Sequence, residues 1–281
     1  MKTFGKVWLG IGLLALGFGI GILALSFANG GPWRDVPTYS LDESYDGIEA
    51  IDIQIGYGEV TIVQGDQFHI KAENLPEESF EAYVTDKTWI IRKDPDNFVD
   101  LFGKEFSLRS LFWWEDDLKP EITITIPQDF VATDFFFELA AGRAEIDKVH
   151  ANKGRFSVEA GFIKINQIEL TGSSEYTVGT GGMIINQMKV NNITVDCGVG
   201  DVNMEGIITG DNVITCGVGN IEMYLSGNVE DYSFQVDSGI GRVKINEESY
   251  HNTAGKRIVS EGAVNNIQLE SGVGSIAVEI E

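Results

Sequence analysis

Several things are scarce in this 281-residue chain, and each scarcity excludes a class of chemistry. Only two cysteines and three histidines occur. His69, His150 and His251 stand far apart, with no metal-ligand spacing to one another or to Cys197 and Cys216. No metal or cofactor is therefore expected. No nucleophile elbow and no G-x-x-x-x-G-K-[ST] phosphate loop appears. Basic side chains are few, 20 against 43 acidic ones, for a net charge of −23. Such a surface repels nucleic acid and anionic lipid, which need a basic footprint. It suits divalent cations or basic partners, or serves solubility alone. A composition 43% hydrophobic and only 22% charged excludes a disordered chain.

Glycine is plentiful, at 33 residues, and its placement is ordered. Val195-Asp-Cys-Gly-Val-Gly-Asp-Val-Asn-Met204 recurs as Ile214-Thr-Cys-Gly-Val-Gly-Asn-Ile-Glu-Met223. The same ten-residue frame begins at Ile53, Phe137, Phe156, Tyr176, Val236 and Leu269. Aligned on their sixth residue, the eight copies give one column: Gly58, Gly142, Gly161, Gly181, Gly200, Gly219, Gly241 and Gly274. From Gly142 to Gly241 the spacings are 19, 20, 19, 19 and 22 residues. A period near 20 is the signature of a solenoid.

Within each copy apolar and polar residues alternate, as in a half-buried strand. The position before the glycine (Val199, Val218, Ile240 and Val273 among its members) reads as part of that alternation, which resumes out of phase afterwards. The glycine is thus expected at a corner or bulge. A third short apolar piece, such as Ile168-Glu-Leu170 or Met188-Lys-Val190, closes each rung, and Asn166, Asn186 and Asn246 are placed to turn the chain. The fold class that follows is all-β: a single-chain parallel β-solenoid of about 19–22 residues per rung, with neighbouring rungs about 4.8 Å apart.

Residues 7–28 form an uncharged, mostly apolar run long enough to cross a bilayer as one helix. Lys2 and Lys6 precede it, which puts residues 1–6 in the cytoplasm and the repeats outside. A signal peptide cleaved near Ser26-Phe-Ala28 is the alternative. Residues 29–47 read as a linker, with Trp33 suited to the membrane interface. Residues 48–281 are the repeat domain. Strand-like segments at 68–71, 88–92 and 122–126 fall in an insertion, residues 64–127, that reads as an antiparallel cap. Residues 247–266 are a second excursion.

Within the insertion, residues 98–114 crowd aromatic side chains together. Phe98, Phe102, Phe106, Phe112, Trp113 and Trp114 are the candidate contacts for a partner or a membrane, or else an apolar lid over the solenoid end. The Gly-x-Gly pairs precede no helix, so a nucleotide-binding reading fails on context. The residue after the column glycine varies too much for a calcium ladder. Outward acidic pairs such as Asp196 with Asp237 would serve a glycan-cleaving enzyme only inside a cleft, and no long loops build one. Cys197 and Cys216 share one inward column on successive rungs. Two buried thiols are expected there, with a disulfide as the alternative.

The frame Ile53-Gln-Ile-Gly-Tyr-Gly-Glu-Val-Thr-Ile62, then Ile122-Thr-Ile-Thr-Ile-Pro127, then serial Gly-x-Gly copies resembles the bacterial putative-adhesin family of β-strand-repeat proteins, over about residues 48–281. Members are often anchored by one N-terminal helix and are frequent in Gram-positive bacteria. The family is of unknown function, and some members are similar to accessory proteins of cell-envelope stress systems. The resemblance carries over no catalytic residue. The glycine column, the single anchor and the missing chemistry lead to a non-enzymatic binding module in envelope stress sensing or adhesion, with an envelope protein or cell-wall glycan as partner. A self-assembling scaffold resembling bactofilins is the structural alternative.

Overall fold

The computed structural model describes residues 38–76, 80–93, 98–101, 104–107 and 119–281. The apolar run at residues 7–28 and its cleavage-site alternative lie outside them. No helix among the described residues is long and apolar enough to cross a membrane. The only helical turn among them is a short 3-10 turn at Val229–Asp231.

All other regular secondary structure among the described residues is strand. In order these are β1 (Thr38–Tyr45), β2 (Ala50–Gly65), β3 (Phe68–Pro76), β4 (Phe80–Thr85), β5 (Thr88–Lys93), β6 (Phe98–Leu101), β7 (Lys104–Ser107) and β8 (Glu121–Pro127). There follow β9 (Ala132–Leu170), β10 (Ser174–Asn191), β11 (Ile193–Thr209), β12 (Asp211–Leu225), β13 (Tyr232–Ile245), β14 (Glu248–Ile258), β15 (Asn265–Ser271) and β16 (Ser275–Ile280). All but β6 and β7 join one sheet. Through its middle the sheet is parallel and in register, with β2 on β9, β9 on β10, β10 on β11 and β11 on β12. Strand β9 makes two successive rungs by itself. Lys164 accordingly pairs with Glu145 at 3.1 Å, and Asn166 Nδ2 donates to Asp147 Oδ1 at 3.2 Å.

The inward face is a set of columns. Ile53, Phe137, Phe156, Tyr176, Val195, Ile214, Leu269 and Val236 succeed one another down the stack, all fully buried. The rings of Phe156 and Tyr176 stack 5.5 Å apart and 11° from parallel. No rung could bury these side chains alone, so the core exists only as a stack. The third side also stacks, with Met188 beside Ile168 and Val190 beside Ile208.

The glycine column has a steric cause. A Cβ on Gly142, Gly161, Gly181, Gly200 or Gly219 would sit 1.9–2.2 Å from the carbonyl oxygen of the column glycine one rung before. At the corner the backbones approach too closely for any side chain. Gly219 also has φ +140°, which L residues rarely adopt.

Space does not follow sequence at either end. A Cβ on Gly274 would meet Gly219 O, and one on Gly241 would meet Gly274 O. Strands β15 and β16 pair with β12 on one side and β13 on the other. The last repeat in sequence is therefore inserted ahead of the one before it. Antiparallel β14 then covers β13, so the excursion at 247–266 supplies the end cap. At the other end β5 and β8 both run parallel to β2 and together form the outermost coil. Only β3, β4 and β1 outside them are antiparallel, which corrects the all-antiparallel cap expected from sequence. Residues 38–45, read as linker, are the edge strand β1, and the acidic Asp42 and Glu43 make it a poor template for another chain. Trp89, fully buried, packs against Tyr45 and Phe68 beneath this cover.

Candidate functional site

Of the aromatic residues singled out in the sequence, Phe98 lies in β6 and Phe106 in β7, strands that pair antiparallel with each other. Phe102, Phe112, Trp113 and Trp114 lie outside the described residues. The surface features that the structure does describe are elsewhere.

The first is the position before the column glycine. It does not point inward as the alternation suggests. In Cys197-Gly-Val-Gly200 the cysteine is buried, while Gly198 and Val199 both face solvent. The pleat reverses before the column glycine, because the Gly-x-Gly backbone makes the corner with its middle residue outermost. In the first four rungs this column holds Tyr57, Ala141, Ala160 and Thr180. In the last four it holds Val199, Val218, Val273 and Ile240, which are 52%, 48%, 60% and 84% exposed. Aliphatic side chains on four consecutive rungs make an exposed ridge.

The second feature opens beside the last rungs of that ridge. A groove of about 610 Å³ is lined by Ile240, Val273, Arg242, Lys244, His251, Ser275 and Asn220, among others. Its floor is a ladder of side chains following the column glycines. Asn220 Nδ2 donates to Asp201 Oδ1 at 3.0 Å, and Ser275 Oγ donates to Asn220 Oδ1 at 2.5 Å. Arg242 is the register partner of both Ser275 and His251, so it stands at the end of this ladder. Lys244 is held by Glu279 at 3.2 Å, whereas Arg242 makes no ion pair among the described residues.

The charge here departs from that of the chain. Residues 236–258 carry four basic side chains (Arg242, Lys244, Lys256, Arg257) against three acidic ones (Asp237, Glu247, Glu248). Two of those acids are engaged: Asp237 accepts from the Gly255 N–H at 2.6 Å, and Glu248 from the Tyr250 hydroxyl at 2.6 Å. Burial, then that bond to Glu248 and its charge, push the Tyr250 phenol up to about 12. Lys256 lies over the Tyr250 ring at 4.3 Å. The groove thus presents a guanidinium and an imidazole beside aliphatic surface, with the Ser275 proton already committed to Asn220. Arg242 and His251 are the groups there suited to an anionic ligand.

Other sequence-predicted groups are dispersed. Asp196 and Asp237 share a column, but Thr215 and Glu270 stand between them, so they are not an adjacent pair. His69 faces Asp42 at 3.2 Å at the opposite end of the stack. Cys197 and Cys216 are register partners, buried and free. The hydrogen bond with Cys216, with burial next, pushes the Cys197 thiol up. Cys197 Sγ donates to Gly200 O at 3.4 Å, and Ser271 Oγ makes the equivalent bond to Gly274 O at 2.7 Å. The earlier rungs carry Val158 and Val178 at this position, so the donor belongs to the later rungs alone. Among the described residues no group of three or more His, Cys, Asp or Glu is placed to hold a metal ion.

Among solved structures the chain is similar to a putative cell adhesion protein from Clostridium sporogenes, at 16% identity, 87% of this chain, 100% of that one and a TM-score of 0.40. It is similar also to a putative adhesin from Bacteroides fragilis, at 14% identity, 86% of this chain, 97% of that one and a TM-score of 0.42. A third is a putative adhesin from Parabacteroides distasonis, at 13% identity, 88% of this chain, 98% of that one and a TM-score of 0.32. No curated protein matches the chain significantly. The family model described as Toastrack DUF4097 matches residues 48–279, nearly the whole of the repeat domain. The chain belongs to the Toastrack DUF4097 family.

Proposed function

We propose that the protein is a non-enzymatic binding module of the cell envelope. It is held at the membrane by residues 7–28 with its β-solenoid outside the cytoplasm, and it acts in envelope sensing or adhesion. The observation that carries this reading is the aliphatic ridge running into a cation-lined groove on an otherwise acidic stack. Exposed apolar surface beside a pocket is typical of contact sites. The antiparallel covers on both ends weigh against the scaffold alternative, which needs open edges to grow.

Crosslinking in the producing cell, followed by capture of the chain, tests the proposal. A discrete envelope protein or wall glycan is expected with it. Recovery of the chain with only further copies of itself would return the scaffold reading. The same capture with Phe112, Trp113 and Trp114 changed to serine reports on the aromatic stretch, since an undiminished yield removes it as a contact. A lysine-reactive biotin reagent that cannot cross the membrane should label the repeat domain on intact cells, and absence of label there would refute the topology.

A further inference from the structure

We infer that the groove and ridge together bind an extended peptide segment of a partner protein, with an acidic side chain on Arg242 and aliphatic side chains along Val199, Val218, Val273 and Ile240. The inference rests on the binding-module reading and adds to it the chemistry of the partner and the place where it docks.

Arg242 is the anchor. Acidic side chains outnumber basic ones two to one in this chain, yet Arg242 has no carboxylate partner among the described residues. A guanidinium presents a planar fork that matches a carboxylate in two parallel hydrogen bonds. His251 stands beside it in register, and Ser275 lines the same groove. Glu279 is committed to Lys244, and Asp237 to the Gly255 N–H. An incoming carboxylate is therefore the complementary charge, and the locally basic 236–258 segment favours it where the rest of the surface would not.

The ridge selects among carboxylate carriers. Four rungs at about 4.8 Å spacing make a line of roughly 14 Å, the reach of about four or five residues of extended peptide. Its side chains are aliphatic and offer no hydrogen-bonding group to sugar hydroxyls, which disfavours an acidic glycan. The earlier rungs of the same column carry no such aliphatic run, so a ligand lying on the ridge is held at the groove end of the stack.

The test is selection of a random nonapeptide display library on the full chain held in phosphatidylcholine nanodiscs. Anisotropy titration of the enriched peptides against Arg242→Glu, Ile240→Ser and Lys164→Glu chains follows. Circular dichroism of each variant checks that the stack is intact. Enriched peptides should combine acidic and aliphatic residues. They should lose at least about tenfold in affinity with Arg242→Glu and with Ile240→Ser, and bind Lys164→Glu unchanged. Loss with Arg242→Glu should shrink at high salt, where screening removes the ionic part. Peptides that bind all three variants equally would overturn the site while leaving the binding-module reading in place. No enrichment at all would overturn the peptide assignment, as would Arg242-dependent binding to phosphatidylglycerol vesicles without any selected peptide.

Discussion

Replacing Gly200 by alanine isolates the physical origin of the glycine column. The new Cβ would lie 2.2 Å from Gly181 O, 3.0 Å from Gly181 C and 3.1 Å from Gly181 N. That obstacle is backbone in a parallel ladder and cannot rotate aside as a side chain would. Gly200 lies outside the left-handed region, so the lesion is a clash without added backbone strain. Relief requires the two rungs to part by roughly 1 Å at the corner, which weakens two or three ladder hydrogen bonds worth about 0.5–1.5 kcal/mol each. Overpacking of this kind costs about 1–3 kcal/mol by itself. We expect a loss near 3 kcal/mol, a fall in Tm of about 6–12 °C for a domain of this size. Gly198, two residues earlier, is the internal control. Its Cβ would stand 3.0 Å from Gly179 O with nothing else nearer than 3.5 Å, so Gly198→Ala should cost about 1 kcal/mol or less. Thermal unfolding of both variants, followed by circular dichroism on the full chain in detergent, decides the matter. Equal Tm values for the two variants would refute the argument from backbone proximity.

Three further outcomes are expected. Truncation after Gly272 removes β16, which lies between β12 and β13; it should expose both strands and give aggregation on gel filtration, whereas a monomer with intact protease resistance would contradict the stacking order. Cys197 and Cys216 should react with Ellman's reagent only after unfolding, because both are buried and the Cys197 thiol is pushed up; Cys197→Ser, which reproduces the Ser271 arrangement, should cost about 1 kcal/mol or less in urea unfolding. Burial, and then the charges of Glu159 and Asp52, raise the Glu138 carboxyl. The folded chain thus holds that proton more tightly than the unfolded one, so ionised Glu138 costs stability above its folded pKa and the cost fades as pH falls through it. Glu138→Gln should accordingly raise Tm at pH 7 by more than at pH 4, and a constant difference would exclude this cause.

The stack was legible in the sequence because its cause is local and repeated. One backbone contact per repeat forbids a side chain at one position, so the column from Gly58 to Gly274 marks one corner of each repeat. The order of rungs was not legible. Val236–Ile245 and Leu269–Val278 carry the same frame, and nothing in a shared frame says which one docks on β12. The orientation of Val199 and its equivalents was misjudged because a valine between two glycines extends an alternating pattern on paper. The backbone turns there, and the turn carries that side chain outward. Asn246 does adopt the left-handed conformation expected of it, at φ 49°. Asn166 and Asn186 do not, and instead form a ladder in which Asn186 Nδ2 donates to Asn166 Oδ1 at 3.2 Å. The groove was invisible for a topological reason: Arg242 and His251 meet Asn220 only because the last repeat brings Ser275 between them.

The late arrival of β15 and β16 fixes a clock for assembly. Rungs from β9 to β12 can each settle on the one before as the chain emerges, the growth mode usual for repeat arrays. Beyond Leu225 that zipper halts. Strand β13 has no seat on the stack until residues 265–280 have been made. At about 5–20 residues per second, the lower edge of β12 waits bare for roughly 3–11 s. Residues 265–280 act as a keystone, and a nascent chain stalled just before them would present two unsatisfied edges to the cell's quality-control machinery.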